Sequence, residues 1–178
     1  MDKLTTKRDW QGELLSALQA VRWGAPYATF FRELEEGKPT CSIHLAVLIE
    51  PYLGLILEGK KTIESRFSVN RHAPFEQVQK GDIIILKRSG GPIVGMCRVA
   101  DAWFYHLDPD TWSEIEQYAS ALCMDDSSFW KEKRGASYAS LMRIESTVRI
   151  PHFEIEKLDP RGWVVLHSSF AGAQRCLF

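Results

Sequence analysis

Apolar residues near the start of the chain recur at the three- to four-residue spacing of helices. The first stripe consists of Trp10, Leu14, Leu18 and Val21. A second stripe, which follows an interruption at Gly24, consists of Tyr27, Phe30, Phe31 and Leu34. Pro26 suits the first turn of this second helix, and Gly37 can end it. We therefore predict a helical hairpin whose aromatic rings are buried against the domain body, over a cleft or against a partner protein.

From residue 41 the pattern changes to short apolar runs separated by turn residues, which is typical of β-strands. The predicted strands cover residues 43–49, 62–67, 83–86, 93–106, 138–150 and 162–167. Shorter helical patterns occupy residues 51–58, 108–122 and 128–134. Because the strands do not alternate regularly with helices, the predicted fold class is α+β. We expect a small, mostly antiparallel β-barrel with peripheral helices and the N-terminal hairpin.

Length and composition indicate one ordinary soluble domain. A chain of 178 residues with 45% hydrophobic and 25% charged residues can bury a core without disulfides or metals. No apolar run approaches the roughly 20 residues of a membrane span. The N-terminal sequence does not have the pattern of a secretory signal, so we expect a cytoplasmic protein.

The residues that commonly bind metals are scattered along the chain. Cys41, Cys97, Cys123 and Cys176 include no pair at the C-x-x-C spacing of zinc or redox sites, so we expect reduced, structural thiols. The histidines include no pair at the i, i+4 spacing. We expect neither a metal nor a cofactor.

Charge is distributed unevenly, although the net charge is only −1. Residues 59–98 contain eight Lys or Arg against three Asp or Glu. Residues 101–130 contain seven Asp or Glu and no Lys or Arg. A basic block on a near-neutral protein favours a short, local contact with phosphate over the wrapping of a duplex.

The most informative segment is residues 59–66, which read GKKTIESR directly after a short apolar helix. In a strand over residues 62–67, the side chains of Thr62, Glu64 and Arg66 share one face. Lys60 and Lys61 precede the strand, at the turn that Gly59 introduces. An anion, cations and a hydroxyl grouped in this way predict the wall of a binding site.

With these residues the chain resembles the ASCH family of the PUA-like superfamily. The octapeptide fits the family's G-x-K-x-x-E-x-R signature, and Pro51-Tyr52, Gly81-Asp82 and Gly162-Trp163 fit the flanking pattern. The resemblance covers roughly residues 43–167. We therefore divide the chain into an N-terminal helical extension over 1–40, an ASCH domain over 41–170 and a C-terminal tail over 171–178.

The resemblance implies a PUA-like β-barrel with a cleft lined by Lys61, Glu64 and Arg66. It also implies recognition of RNA or modified bases. Some small ASCH proteins look like amidohydrolases that act on acetylated cytidine, and others have been assigned ribonuclease activity. Where the hydrolase subgroup has a threonine, three residues after the motif lysine, this chain has Glu64.

The residue types suggest a role for each member of the predicted ligand-binding set. Arg66 can grip phosphate bidentately, Lys61 offers a mobile charge, and Glu64 can accept a hydrogen bond from a base or a ribose hydroxyl. Aromatic residues can stack on bases, and an exposed arginine can steer phosphate. The complete predicted set is Tyr52, Lys60, Lys61, Thr62, Glu64, Arg66, Arg71 and Trp103.

Three classes of function fit these patterns. The first is binding of RNA, single-stranded nucleic acid or a nucleotide-like small molecule in the cleft. The second is an enzyme of the same cleft, a hydrolase of acylated nucleosides or a ribonuclease, in which Lys61 acts as base and Glu64 moves the proton. The third is a protein-interaction module in RNA or transcription regulation that captures its partner through the N-terminal hairpin. Ligand identity and oligomeric state do not follow from the sequence.

Overall fold

The computed structural model describes residues 10–18, 24, 27–124, 127–154 and 160–169. In this part of the chain the helices are α1 (Trp10–Leu18), α2 (Tyr27–Glu35), α3 (Tyr52–Leu57), α4 (Pro109–Glu116), α5 (Ala119–Leu122) and α6 (Ser127–Lys133). The strands are β1 (Ile43–Leu48), β2 (Ile63–Ser68), β3 (Ile83–Arg88), β4 (Ile93–His106), β5 (Tyr138–Phe153) and β6 (Trp163–His167). None of the helices in these ranges is long and apolar enough to cross a bilayer.

The strands form one curled, half-barrel sheet in the order β2-β5-β4-β3-β1-β6. Neighbouring strands are antiparallel, except that β1 and β3 run parallel. This arrangement confirms the predicted α+β class and the mostly antiparallel sheet. β2 stands at one edge of the sheet, so one side of its main chain faces away from β5.

The long strand β4 has an irregular register with its neighbour β5. Its register with β5 is interrupted at three places, the first of them between Ile93 and Gly95. A Cβ atom at Gly95 would lie 2.7 Å from a side-chain carbon of Leu57 and 2.8 Å from the carbonyl oxygen of Val148. Glycine is therefore required there, because the backbone of β4 approaches its neighbours too closely for a side chain.

The N-terminal helices pack on the domain body. On α2 the buried side chains are Tyr27, Phe30, Phe31 and Leu34, the stripe that the sequence predicts. Together with Leu14 and Leu18 of α1 they form one apolar cluster with Ile43, Leu45, Ile83, Ile85, Ile93, Met96 and Ile150 of the sheet. The helical hairpin therefore shares a core with the sheet. Val21, Pro26 and the predicted tail over 171–178 lie outside the described residues.

The helical pattern predicted over residues 108–122 divides into α4 and α5. At the end of α4 the amides of Gln117 and Tyr118 donate to carbonyls three residues earlier, which tightens and ends the helix. The carbonyl of Ala121, in α5, then accepts from the amide of Thr62, the residue before β2. This contact places the end of α5 beside the segment that precedes β2.

Candidate functional site

A cleft of about 310 Å³ lies between β2, the end of β1, α3 and α6. Its lining combines main chain, aromatic rings and charged groups. The lining residues are Val47, Leu48, Ile49, Tyr52, Lys61, Glu64, Ser65, Arg66, Phe67, Met124, Phe129 and Lys133. Its volume is at the lower end of the range for small-molecule sites.

A tight turn after α3 brings Lys61 into the cleft. Gly59 has a φ of +72°, a conformation that glycine adopts without steric cost. The amides of Lys60 and Lys61 both donate to the carbonyl of Leu55, at 2.9 and 3.1 Å. The chain therefore reverses within three residues, and Lys61 turns inward while Lys60 remains outside.

The ammonium group of Lys61 is buried, and protein atoms already bind it. Its Nζ donates to the carbonyls of Ile63 at 2.7 Å and Leu122 at 3.1 Å, and lies 3.6 Å from Glu64 Oε2. The ring of Tyr52 has its centroid 5.8 Å from the same atom. Burial lowers the pKa of Lys61 below its ordinary value, and the nearby Glu64 carboxylate opposes that shift.

Glu64 and Arg66 form a hydrogen-bonded ion pair on one face of β2. Arg66 Nε donates to Glu64 Oε1 at 2.8 Å. The other guanidinium nitrogens donate to the main-chain oxygens of Val47 at 3.1 Å and Gly162 at 3.3 Å. The guanidinium carbon also lies 5.3 Å from the ring centroid of Trp163. Arg66 thus connects β2 to the opposite side of the curled sheet.

A buried polar chain supports Trp163 beneath the cleft. Trp163 Nε1 donates to His44 Nδ1 at 3.3 Å, and His44 Nε2 then donates to Asp82 Oδ2 at 3.1 Å. Asp82 also accepts from the amides of Ser42 and Gln79. Because each of these polar groups has a hydrogen-bond partner, the series fixes the indole ring against which the guanidinium of Arg66 packs.

Aromatic side chains form the apolar walls. Phe67 and Phe129 pack edge to face with their ring centroids 5.9 Å apart, and Tyr52 lines the cleft from α3. At the rim, the Lys133 ammonium lies 5.5 Å from the ring of Phe129. The side chain of Lys133 is 33% exposed, whereas that of Lys61 is 1% exposed. Lys133 is therefore the lining cation nearest to solvent.

The structure brings together half of the predicted ligand-binding residues. Tyr52, Lys61, Glu64 and Arg66 line the cleft. Lys60 is exposed and paired with Glu58 at 2.7 Å. Thr62 is exposed just before β2, which begins at Ile63, one residue later than predicted.

Arg71 and Trp103 also lie outside the lining. Arg71 is paired with Glu76, and its guanidinium packs on the ring of Phe75. Trp103 is half-buried and stacks on Tyr118, with ring centroids 5.8 Å apart, against the apolar cluster that includes Trp112 and Ile115 of α4.

Several lining residues were not predicted from the sequence. Ser65 and Phe67 alternate with Glu64 and Arg66 along β2. The alternation of side chains along a strand therefore assigns them to the opposite face, toward the core. Phe129 and Lys133 lie on α6, more than 60 residues from the motif. Only the edge position of β2 lets both of its faces reach the cleft, and no local pattern reveals an edge strand. Among the described residues, no group of three or more His, Cys, Asp or Glu could hold a metal ion.

Comparison with known proteins identifies relatives of this fold. The sequence profile of the family described as ASCH domain matches residues 47–154. The structure of an ASCH protein from Zymomonas mobilis has 13% identity and a TM-score of 0.56, covering 70% of this chain and 87% of that chain. A single-residue variant of the Zymomonas protein has 11% identity and a TM-score of 0.53, covering 71% and 89%.

An ASCH domain from Lactobacillus crispatus has 12% identity and a TM-score of 0.47, covering 84% of this chain and 99% of that chain. No curated protein matches the chain. At these identities the Zymomonas structures share the fold with this chain.

Proposed function

The chain belongs to the ASCH domain family, a PUA-like family associated with RNA binding, and we propose that it binds single-stranded RNA or a nucleoside by enclosing one base in the cleft. The observation that carries the proposal is the cleft itself, which combines aromatic walls with a buried Lys61–Glu64–Arg66 network. A volume of about 310 Å³ suits a single planar heterocycle better than a folded oligonucleotide.

The charges within the cleft favour a base over a phosphate group. Both inner cations already donate to main-chain carbonyls, and Arg66 also donates to Glu64, which lies 3.6 Å from the Lys61 ammonium. A phosphate entering this space would have to compete for those donors. A neutral base gains instead from stacking on Tyr52, Phe67 or Phe129, which is worth about 1–3 kcal/mol per base. In this arrangement the sugar and phosphate remain at the rim, beside Lys133.

Binding of a nucleoside panel and of short single-stranded RNAs tests the proposal. Phe129→Leu keeps the apolar bulk but removes the aromatic face, so we expect affinity to fall by about 1–3 kcal/mol. Phe104→Leu is the matched control, because Phe104 lies on β4, packs on Phe75 and does not line the cleft. Calorimetric titration at two salt concentrations separates the contacts: nucleoside binding should change little, whereas RNA binding should weaken with salt. The proposal fails when no nucleoside or RNA binds, or when both variants bind like the wild type.

A second candidate function, hydrolysis of an acylated nucleoside or cleavage of RNA, is favoured by Lys61. Its lowered pKa and its position beside Glu64 fit a lysine that accepts a proton during the reaction. Chromatography of the same panel after incubation distinguishes the two candidates. Products that disappear in the variant Lys61→Met support catalysis, and binding with no turnover supports recognition alone.

A further inference from the structure

Ser65 has a buried hydroxyl without a hydrogen-bond partner. Among the described residues, its Oγ is the one side-chain oxygen or nitrogen that is both buried and without a hydrogen-bond partner. Leaving a buried hydroxyl unsatisfied costs about as much as the hydrogen bond it forgoes, so such groups are rare and call for an explanation. Ser65 lines the cleft, which offers one.

The fold gives no structural reason for a hydroxyl at this position. On β5 the residue in register with Ser65 is Leu141, which is fully buried and apolar. Ile63 and Phe67, two residues away on the same face of β2, pack in the same apolar cluster as Leu141. An alanine at position 65 would fit these surroundings without an unsatisfied polar atom.

The main chain of β2 adds further polar groups at the same point. The carbonyl of Thr62 accepts from the amide of Ile144 in β5, whereas the carbonyl of Ile63 accepts from Lys61 Nζ on the other side. Because main-chain groups of successive residues alternate in an antiparallel strand, those of Ser65 point the same way as those of Ile63. They face the free edge of β2, away from β5.

We infer that Ser65 reads the hydrogen-bonding edge of the base, an inference that rests on the proposed function. The residue presents an amide donor, a carbonyl acceptor and a hydroxyl that serves as either. A nucleobase edge carries donors and acceptors side by side and complements this set. A phosphate carries acceptors only and leaves the Ser65 carbonyl without a partner. The ligand class is therefore a planar heterocycle with an amino or carbonyl group at one edge.

Matched nucleosides test this reading. Adenosine, inosine and purine riboside carry an amino group, a carbonyl group or a hydrogen at the same ring position, and cytidine, uridine and pyrimidin-2-one riboside form the equivalent pyrimidine set. We expect the wild type to prefer the substituted nucleosides of one set over the unsubstituted analogue by about fivefold or more. Ser65→Ala removes the hydroxyl but keeps the main-chain amide and carbonyl, so it should reduce that preference by about twofold or more. Ser68→Ala removes a hydroxyl from the same strand, outside the cleft lining, and should keep it.

The outcomes separate this inference from the proposed function. If the wild type binds none of the nucleosides or RNAs, the proposed function falls and the role of Ser65 falls with it. If the wild type binds but Ser65→Ala retains the preference undiminished, only the role of the Ser65 hydroxyl is overturned. A melting temperature for Ser65→Ala equal to or above that of the wild type shows that the variant is folded, and it is the result expected when a ligand-binding hydroxyl is removed from an apolar site.

Discussion

Burial determines what the charged residues of the cleft can do. An exposed lysine or arginine offers free donors to phosphate, but those of Lys61 and Arg66 are directed at Glu64 and at main-chain carbonyls. Their role is accordingly to shape a polar floor of fixed geometry. The exposed cations Lys60 and Arg71 are paired with neighbouring glutamates and lie outside the cleft lining.

The lowered pKa of Lys61 predicts a pH dependence of stability. Between its lowered value in the folded protein and about 10.4 in the unfolded chain, the unfolded chain binds more protons. The contribution of Lys61 to the free energy of unfolding therefore rises with pH across this window. Urea denaturation from neutral to alkaline pH should show the free energy of unfolding of the wild type rising relative to that of Lys61→Met.

The comparison between variants is needed because other groups act in the opposite direction. Burial raises the pKa of Cys41 to about 11 and also raises that of Tyr27, so the folded state retains these protons longer and loses stability at alkaline pH. Lys60→Met changes the exposed neighbouring position. Its free energy of unfolding should show the same pH dependence as that of the wild type across the window. The same pH dependence in Lys61→Met would contradict the assignment of this effect to Lys61.

Among the elements, the edge strand β2 and the hairpin α1–α2 have different relations to the site. β2 supplies both of its faces and its free main-chain edge to the cleft. The hairpin lies in the apolar cluster formed with β1, β3, β4 and β5, and the cleft-lining residues are not members of that cluster. With the rings of α2 buried, a protein partner could contact only its polar side.

Truncation on α2 tests whether the hairpin is part of the cooperative core. Phe30 is 5% exposed, so Phe30→Ala should lower the free energy of unfolding by about 3–5 kcal/mol, through lost burial and the cavity left behind. Thr29→Ala, at an exposed position of the same helix, should change it by less than about 0.5 kcal/mol. Chemical denaturation followed by tryptophan fluorescence measures both. An unchanged main transition in Phe30→Ala would mean that the hairpin is a separable extension.

At the scale of the whole molecule, the side chain of Arg66 joins strands from the two ends of the sheet. The sheet begins with β2 and ends with β1 and β6, and its curl brings these ends together at Arg66. The carbonyls of Val47 and Gly162 accept from its guanidinium, and Trp163 packs against it. The half-barrel is thus bridged by a side chain where a closed barrel would have strand pairing.

Arg66→Lys should open this bridge while keeping the charge. A single ammonium cannot reproduce the fork that reaches Glu64, Val47 and Gly162 together. We expect a loss of about 1–3 kcal/mol in the free energy of unfolding and faster amide hydrogen exchange at the end of β1 and in β6. Arg143→Lys, on the surface over Trp103, is the control. Slow exchange retained in β6 would show that the bridge is not what closes the sheet.

The local pattern of the sequence determined most of the fold. The stripe Tyr27, Phe30, Phe31 and Leu34 was buried as predicted, and each predicted strand from residue 43 onward appears within a few residues of its expected bounds. Such patterns are readable because helix and strand periodicities depend on neighbours a few residues away. The pairing of Glu64 with Arg66 on one face followed in the same way, from the alternation of side chains along a strand.

What only the tertiary structure decided is which of those residues meet. The sequence gives no signal that β2 is an edge strand, that α6 brings Phe129 and Lys133 to it, or that Trp103 packs against the apolar cluster of α4 and α5. These contacts arise from packing between segments many residues apart, and their energy is spread over many weak interactions. The sequence therefore determined the strand that carries the motif, whereas the fold determined the cleft, its aromatic walls and the unsatisfied hydroxyl of Ser65.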